Sequence, residues 1–186
     1  DLPGLIAAAK AAPGRITYGS SGNGTTTHMA AALFGARAGI NWQHVPYRGP
    51  SPAMQDVLGG SVPCGFLASP VVGPMIKEGT LVPIAVSGSH RLASQPSVPT
   101  IAESGAPGYV AEFAEMMAMP RGTPAAIVHR LQAEIAKAMS SPAVQERLAT
   151  LDLEPLANSP EDAAKRIQQG NQRWGEVARR LKLQLD

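Results

Sequence analysis

A regular alternation of short β-favouring runs with helical segments over the first hundred residues constrains the fold more than any other feature. Strands are predicted at 15–18, 42–46, 62–67 and 81–86, and helices at 5–12, 25–38, 51–59 and 74–78. Each predicted helix ends at a glycine or at Pro13-Gly14, where helices commonly stop. Because helices connect successive strands, the strands run mostly parallel, and the sequence predicts an α/β domain.

The remainder of the chain has a different pattern. Prolines punctuate 92–108, and 109–119 is predicted to be one long strand. Three helices are predicted to begin at Thr123-Pro124, Ser141-Pro142 and Ser159-Pro160, because Ser or Thr caps a helix and proline favours its first position. We place a boundary near 105–108, which gives domains 1–106 and 107–186. The helices present more apolar faces than the predicted strands cover, so we expect a preceding segment that supplies more sheet.

Composition places the chain among globular proteins and argues against several partners. Of 186 residues, 44% are hydrophobic, and the net charge is +2 with both signs well mixed. No Lys/Arg-rich stripe suggests a nucleic-acid partner, and no apolar stretch has the roughly 18–20 residues that a membrane helix needs. The single cysteine, Cys64, precludes an intramolecular disulfide and is predicted to be buried. The four histidines lack metal-ligand spacing, so neither a metal nor another cofactor is predicted.

The segment 18–28 carries the strongest functional signal. It is predicted to be a strand end, a glycine-rich turn and the start of a helix. The first turn of a helix has unpaired N–H groups at the positive end of its dipole, and glycines let a ligand approach the backbone. The sequence therefore predicts a site for a carboxylate or phosphate without a fixed countercharge. The candidate ligand-binding residues are Ser20, Ser21, Gly22, Gly24, Thr25, Thr27 and His28. Ser21, Thr25 and Thr27 are expected to donate to one carboxylate.

Three better-known motifs do not fit this segment. A P-loop needs lysine where Thr25 stands, a dinucleotide-binding turn needs glycine where Thr27 stands, and a hydrolase elbow needs Gly-x-Ser-x-Gly. A Ser–His–Asp triad from Ser21, His28 and Asp56 is an open alternative that predicts a small-molecule hydrolase. Otherwise His28 contacts the ligand, orients the loop or hydrogen-bonds to the backbone.

Two further loops follow predicted parallel strands and are expected at the same edge of the sheet. Tyr47 and Arg48 follow the strand 42–46, and Ser69 follows the strand 62–67. Ligands of parallel α/β sheets bind beyond the carboxyl ends of the strands. We therefore add Tyr47, Arg48 and Ser69 to the candidates. Arg48 is either a charged partner for a carboxylate or a solvated surface residue, and Ser69 offers a hydroxyl.

Motifs in order over nearly the whole chain strengthen the functional prediction. They include Ala-Lys-x-x-Pro-Gly at 9–14, Ser-Ser-Gly-Asn-Gly-Thr-x-x-His at 20–28, Val-Pro-Tyr-Arg-Gly at 45–49, Pro-Ala-x-x-Asp-x-x-x-Gly at 52–60, Ile-Lys-x-Gly at 76–79, Val-Pro-Thr-Ile-Ala-Glu-x-Gly at 98–105, Pro-Gly-Tyr at 107–109 and Gly-Thr-Pro at 122–124. In this order they resemble the tripartite tricarboxylate transporter receptors, the Bug-type solute-binding proteins.

The resemblance implies a two-lobed periplasmic-binding-protein type II fold, a Venus flytrap. It implies that 1–106 form ligand-binding lobe two and 107–186 the crossover strand and C-terminal helices of lobe one, whose N-terminal part is absent from this sequence. It implies a periplasmic receptor without catalytic activity, exported behind a signal peptide, that hands its ligand to a membrane permease. The implied ligand is a dicarboxylate, tricarboxylate, amino acid or aromatic acid. By motif match, Ser20, Ser21, Gly24, Thr25 and His28 line its lobe-two ligand loop.

The chain departs from the family pattern at two places. Pro63 stands where an aspartate is usual, and Phe113 and Glu115 stand where a Trp and then a Gly are usual, with Met119-Pro120-Arg121 before Gly122. These departures bear on ligand identity and on the hinge. A ligand-sensing receptor of the same fold is an open alternative to transport. Exposed strand edges also predict a homo-oligomer of this portion of the protein.

Overall fold

The computed structural model describes residues 1–180, and its first part alternates helices with parallel strands, as the α/β class predicts. The elements in chain order are α1 Leu2–Ala11, β1 Thr17–Ser20, α2 Thr26–Ala38, β2 Gln43–Pro46, α3 Pro50–Leu58, α4 Ser69–Lys77, α5 Ile101–Ser104, α6 Ala125–Met139, α7 Pro142–Thr150 and α8 Pro160–Arg180. None of these described helices combines the length and apolar character that crossing a membrane requires. Residues 181–186, which belong to the predicted second domain, lie outside the described range.

β1 and β2 form a parallel pair that occupies the centre of the first domain. They pair over four residues, with Ser20 opposite Pro46 at their carboxyl ends. On the other side of β1, Gly19 forms an isolated parallel bridge with Gly65, and Gly19 N–H donates to Cys64 O at 3.0 Å. β1 therefore lies between β2 and a third parallel segment, in the arrangement that helical crossovers favour.

Two of the predicted strands are wrong in extent. Among the described residues, 62–67 pairs with β1 through a single isolated bridge, at Gly65. Pro63 cannot extend this pairing, because it has no N–H to donate to a ladder. Within 81–86, Val86 alone of the run forms a bridge, with Thr100, and Pro83 interrupts the run in the same way. The β-favouring side chains of these runs lead to extended chain without a continuous ladder.

The predicted end of α2 at Gly39 is confirmed, while Thr25, predicted as its first residue, is its N-cap, and other helix starts differ more. The Thr25 side chain caps α2, and Gly39 ends it with a left-handed φ of 64°. α4 begins at Ser69 rather than within 74–78, because a proline in its first turn favours initiation there. α6 begins at Ala125 without a side-chain cap, so the predicted cap at Thr123 is wrong.

An aromatic cluster forms the centre of the core on α2 and the chain around it. Phe34 is completely buried, and its ring meets Trp42 and Tyr109 edge-on at centroid distances of 5.3 and 6.2 Å. The Tyr109 hydroxyl donates to Ala30 O at 2.9 Å, so a buried polar atom is paired. Gly35 lies against Trp42, since a Cβ there would be 2.8 Å from the indole nitrogen. These contacts fix α2, and with it the loop that precedes α2.

The segment 109–119, predicted to be one long strand, is not a strand. Ala111 N–H donates to Ser87 O at 2.8 Å, but within the described chain this segment has no repeated ladder of the kind that defines a strand. Tyr109 is buried, whereas Met116 and Met117 have 56% and 73% of their surfaces exposed. Side chains that favour extended structure do not make a strand without a neighbour with which to pair.

The chain consists of two compact units. The first comprises Asp1–Phe113 together with the end of α8 from Val177, and the second comprises Ala114–Glu176 with α6, α7 and most of α8. In the second unit, Gln132 Nε2 donates to Ala157 O at 3.3 Å, which ties the turn before α8 to α6. The assignment of 1–106 to lobe two and of 107–186 to lobe one stays a prediction.

Candidate ligand-binding site

Three segments of the chain leave the parallel sheet at the same edge. β1 and β2 end opposite each other, and the third segment bridges β1 at Gly65. Tyr47 N–H donates to Ser20 O and Gly49 N–H donates to Ser21 O, so the first two loops are hydrogen-bonded side by side. This geometry agrees with the expectation that loops after parallel strands share one edge.

Each of these segments leads into the N-terminus of a helix. α2 begins after Thr25, α3 after Gly49 and α4 after Ala68. The N-termini of α3 and α4 have no side-chain cap, but Pro50, Pro52 and Pro70 carry no N–H and Val71 N–H donates to Ala68 O at 3.0 Å. Among the first three residues of these two helices, the remaining backbone donors are the N–H groups of Ser51 and Ser69. Positive helix-dipole ends beyond one sheet edge favour an anion there.

The threonine hydroxyls of the first loop are directed into the loop itself. Thr25 Oγ1 donates to Gly22 O at 2.7 Å and accepts from His28 N–H. Thr27 Oγ1 lies 3.0 Å from Thr25 Oγ1 and accepts from Ser21 N–H at 3.0 Å. A hydroxyl has one proton, and that of Thr25 points to Gly22 O. In the contact between the two hydroxyls, Thr27 Oγ1 is therefore the donor and Thr25 Oγ1 the acceptor. In this arrangement neither hydroxyl proton is directed at a ligand.

Backbone groups supply most of the donors that remain in the first loop. Within residues 1–180, the N–H groups of Thr26 and Thr27 in the first turn of α2 have no acceptor, and the Ser21 hydroxyl has no hydrogen-bond partner. Ser21 is half-buried and Thr26 is exposed. The candidate donors for an anion are therefore two peptide groups and one hydroxyl, all uncharged.

Gly22 and Gly24 give the first loop a shape that other residues resist. Their φ angles are 130° and 70°, both in the region that favours glycine. A Cβ at Gly22 would lie 2.9 Å from Tyr47 O of the second loop. Gly22 therefore permits the close approach of the two loops, in addition to the ligand approach that the sequence predicts.

Three polar side chains are packed under the first loop. Ser20 is completely buried, and its Oγ lies 2.6 Å from His44 Nε2. The rings of His44 and His28 stack with centroids 3.9 Å apart and planes 5° from parallel. Gly24 N–H donates to His28 Nδ1 at 3.1 Å, so the proton of the neutral His28 ring is on Nε2. Ser20 and His28 thus shape the loop from within.

Burial keeps both histidine rings neutral. It lowers the pKa of His28 below its ordinary value of 6.5. Burial, with His28 as a second cause, lowers the pKa of His44 to about 4. An imidazolium is disfavoured in both positions because it has lost water on one side and faces a second ring on the other.

The low pKa of His44 predicts a loss of folding stability in acid. Its unfolded pKa is about 6.5 and its folded pKa about 4, so between these values the unfolded chain binds more protons. We expect the free energy of unfolding to fall as the pH decreases through this window. The loss is about 1–2 kcal/mol, allowing for solvent around a half-buried ring. Melting temperatures of the native protein and of His44→Gln, measured across this window, check the sign. An equal acid loss in both proteins would assign it to other groups.

The second and third loops hold the other candidate residues. Tyr47 packs beside Gly19, and its hydroxyl donates to Asp56 Oδ2 at 2.6 Å. This hydrogen bond raises the pKa of the Tyr47 phenol to about 12 and ties the second loop to α3. Arg48 has an exposed side chain in that loop, and Ser69 is the first residue of α4 rather than a loop residue. The structure thus brings Tyr47 against the first loop, while Arg48 reaches into solvent.

The alternative hydrolase triad is not assembled. His28 Nδ1 accepts from Gly24 N–H, whereas a triad histidine donates from this atom to its aspartate. Asp56 accepts from Tyr47 instead. Ser20, which does contact a histidine, is completely buried. Over the part of the chain that the structure describes, no three His, Cys, Asp or Glu side chains are grouped so as to hold a metal ion.

The sequence-based candidates omit His44 and place Asp56 only in the triad. The side chains of Tyr18 and Ser20 lie on the same face of β1, because they are two residues apart. His44 of β2 pairs with Tyr18 in the register. The alternation is visible in the sequence, but the register that brings His44 to this face is set by packing. No local motif therefore marks His44.

An α/β fold with helix N-termini beyond one edge of a parallel sheet is typical of proteins that bind small anions. Over residues 1–183, the sequence matches the model of the tripartite tricarboxylate transporter family receptor. The chain belongs to this family, which is one of receptors rather than of enzymes. The resemblance that the motifs indicate is thereby confirmed.

Individual relatives agree with the family assignment. Protein BugT of Bordetella pertussis is 35% identical over 179 residues, 96% of this chain and 55% of BugT. R. palustris Rpa4515 with adipate is similar at a TM-score of 0.92 and 30% identity, over 100% of this chain and 62% of that one. MatC from Rhodopseudomonas palustris with bound malate is similar at a TM-score of 0.77 and 25% identity, over 95% of this chain and 61% of that one. These likenesses confirm the predicted solute-binding-protein fold. The chain spans about half the length of most curated relatives it matches.

Proposed function

We propose that the full-length protein is a periplasmic receptor that binds a small dicarboxylate and delivers it to a tripartite permease. The observation that supports this most is the start of α2 beyond the sheet edge, where the N–H groups of Thr26 and Thr27 have no acceptor within residues 1–180 and the starts of α3 and α4 follow the neighbouring segments. Each hydrogen bond from a neutral donor to a carboxylate contributes about 1.5–3 kcal/mol. The N–H groups of Thr26 and Thr27 and the Ser21 hydroxyl are the proposed donors to one carboxylate, and the exposed Arg48 adds a positive charge that attracts an acid.

The similar structures with adipate and with malate support a dicarboxylate, because both acids carry two carboxyl groups. In this proposal, 1–106 form lobe two and 107–186 belong to lobe one. Gly22, Gly24 and the side chains of Ser20, Thr25, Thr27 and His28 then act through the shape of the first loop. Tyr47 and Ser69 belong to the second loop and to the start of α4, at the same edge.

A receptor of this kind works in the periplasm, so we also propose a signal peptide in the complete protein and permease subunits as partners. A ligand-sensing receptor would bind the same acids without supporting their uptake. Uptake of radiolabelled adipate by native cells and by cells without the receptor gene separates the two. Equal uptake in both would favour the sensor.

A proline at position 26 tests the backbone-donor site directly. Thr26→Pro removes a single N–H of the first turn of α2, where proline is favoured. Thr25 has φ −69° and ψ 161°, which is already the extended conformation that precedes proline. We expect the dissociation constant of the bound acid to rise roughly 10–100-fold with little change in melting temperature. Isothermal titration calorimetry of the full-length protein against adipate, malate, citrate and glutamate measures the effect.

Thr26→Ala is the matched control, because it removes the same side chain and keeps the N–H. We expect its affinity to stay within about twofold of native, as for a typical exposed substitution. Native affinity in Thr26→Pro would remove this N–H from the site. If the native protein binds none of the four acids, the receptor proposal itself fails.

A further inference from the structure

One continuous set of contacts joins the two ends of the first loop. At its start, Ser20 Oγ is hydrogen-bonded to His44 Nε2 at 2.6 Å. His44 stacks on His28 with ring centroids 3.9 Å apart. At the end of the loop, Gly24 N–H donates to His28 Nδ1 at 3.1 Å. His44 belongs to β2, outside both the loop and α2, and is the link between the two ends.

From this geometry we propose that His44 is a positioning residue, which holds the loop 20–24 in its ligand-binding shape through Ser20 and His28. The inference rests on the proposed carboxylate site, because that site consists of donors on the same loop. His44 itself has no proposed contact with the ligand. It acts by fixing where the loop begins and where it ends.

The surroundings of the histidine pair require neutral rings. The titratable groups packed around His44 are His28 from α2, Tyr18 from β1 with its ring centroid 5.1 Å away, and Cys64 beyond Tyr18. Burial raises the pKa of both Tyr18 and Cys64, so neither supplies a negative charge at neutral pH. Within residues 1–180, neither ring forms an ion pair.

Protonation is therefore opposed by geometry as well as by burial. A proton on His28 Nδ1 would convert this acceptor into a donor that faces the N–H of Gly24. A positive charge on either ring would also lie against the other ring of the stack. The loop keeps its shape as long as both rings are neutral, and it loosens when either is charged or when His44 is removed.

The test compares hydrogen exchange of the loop with adipate binding in the full-length protein. In His44→Ala at pH about 7.5, we expect the protection of amides in 20–28 to fall about tenfold or more, as for the loss of a buried hydrogen-bonded link. The dissociation constant for adipate should rise by a similar factor, while α1 keeps its native protection. His44→Gln can still reach Ser20, and should restore loop protection to within about threefold of native. His129→Gln changes an exposed histidine of α6 and serves as the matched control.

A pH profile separates positioning from a general structural role. In the native protein, loop protection corrected for intrinsic exchange should fall as the pH decreases from about 6.5 to about 4, the window that His44 sets. In His44→Gln this acid loss should be smaller. Native loop protection in His44→Ala, or an equal acid loss in both proteins, would overturn the inference. If His44 controls loop protection while no acid binds to the native protein, the positioning role stands and the proposed function fails.

Discussion

Replacing Phe34 by alanine in the full-length protein is expected to lower the free energy of unfolding by about 3–5 kcal/mol. Phe34 is completely buried, and it contacts Trp42 and Tyr109 edge-on and Phe66 at a centroid distance of 6.1 Å. Alanine leaves a cavity among these rings that α2 is too well fixed to fill. It also removes aromatic pairs that contribute about 0.5–1.5 kcal/mol each beyond burial. Urea denaturation followed by tryptophan fluorescence measures the change, since Trp42 reports on the site.

The control for this prediction is Val82→Ala. Val82 has 81% of its surface exposed, so its truncation should change the free energy of unfolding by less than about 0.5 kcal/mol. A loss below about 1.5 kcal/mol for Phe34→Ala would mean that the cluster repacks around the missing ring, and would contradict the close packing inferred from the contacts.

Replacing Gly22 by alanine is expected to impair both folding and binding. The φ of 130° is strained for any residue with a side chain, and the new Cβ would lie 2.9 Å from Tyr47 O, a backbone atom that has little freedom to move. We expect a loss of about 1–3 kcal/mol in the free energy of unfolding. The second loop must move away, and with it the shape of the proposed site changes. The dissociation constant for the bound acid should therefore rise by more than about tenfold.

Gly39→Ala separates backbone strain from collision. Gly39 also has positive φ, 64°, but a Cβ there meets nothing within 4 Å. We expect it to cost about 1 kcal/mol of stability, as a left-handed alanine does, and to leave acid binding at the native value. Calorimetric titration of both variants makes the comparison. Native affinity in Gly22→Ala would show that the loop contact at Tyr47 is not needed for binding.

Much of the fold can be predicted from the sequence where the signal is local. Thr25 and Gly39 mark the ends of α2 because a hydroxyl cap and a left-handed glycine act within one helical turn. The runs 62–67 and 81–86 are less predictable, because a strand requires a partner. Their composition favours extended chain, yet Pro63 and Pro83 limit the ladder that could form.

The proximity of the loops in the candidate site can be predicted from the sequence, but their side-chain hydrogen bonds cannot. The glycine-rich turn and the loop at Tyr47 lie together, as the rule for parallel sheets predicts. The direction of the Thr25 and Thr27 protons is not predictable, because it depends on which acceptors the folded loop brings within reach. His44 is missed for a related reason, since its contact with Ser20 is set by the register between two strands.

The hydroxyl protons of Thr25 and Thr27 point into the loop itself. Most of the donors that the proposed site offers to an acid are therefore peptide N–H groups, which every residue type except proline carries. A mutation that changes an exposed side chain such as Thr26 therefore leaves these donors where they are. Preference for one acid over another would have to evolve at other positions. If the proposed function holds, receptors that bind different acids can keep the same loop, because it contacts only the carboxyl group that those acids share.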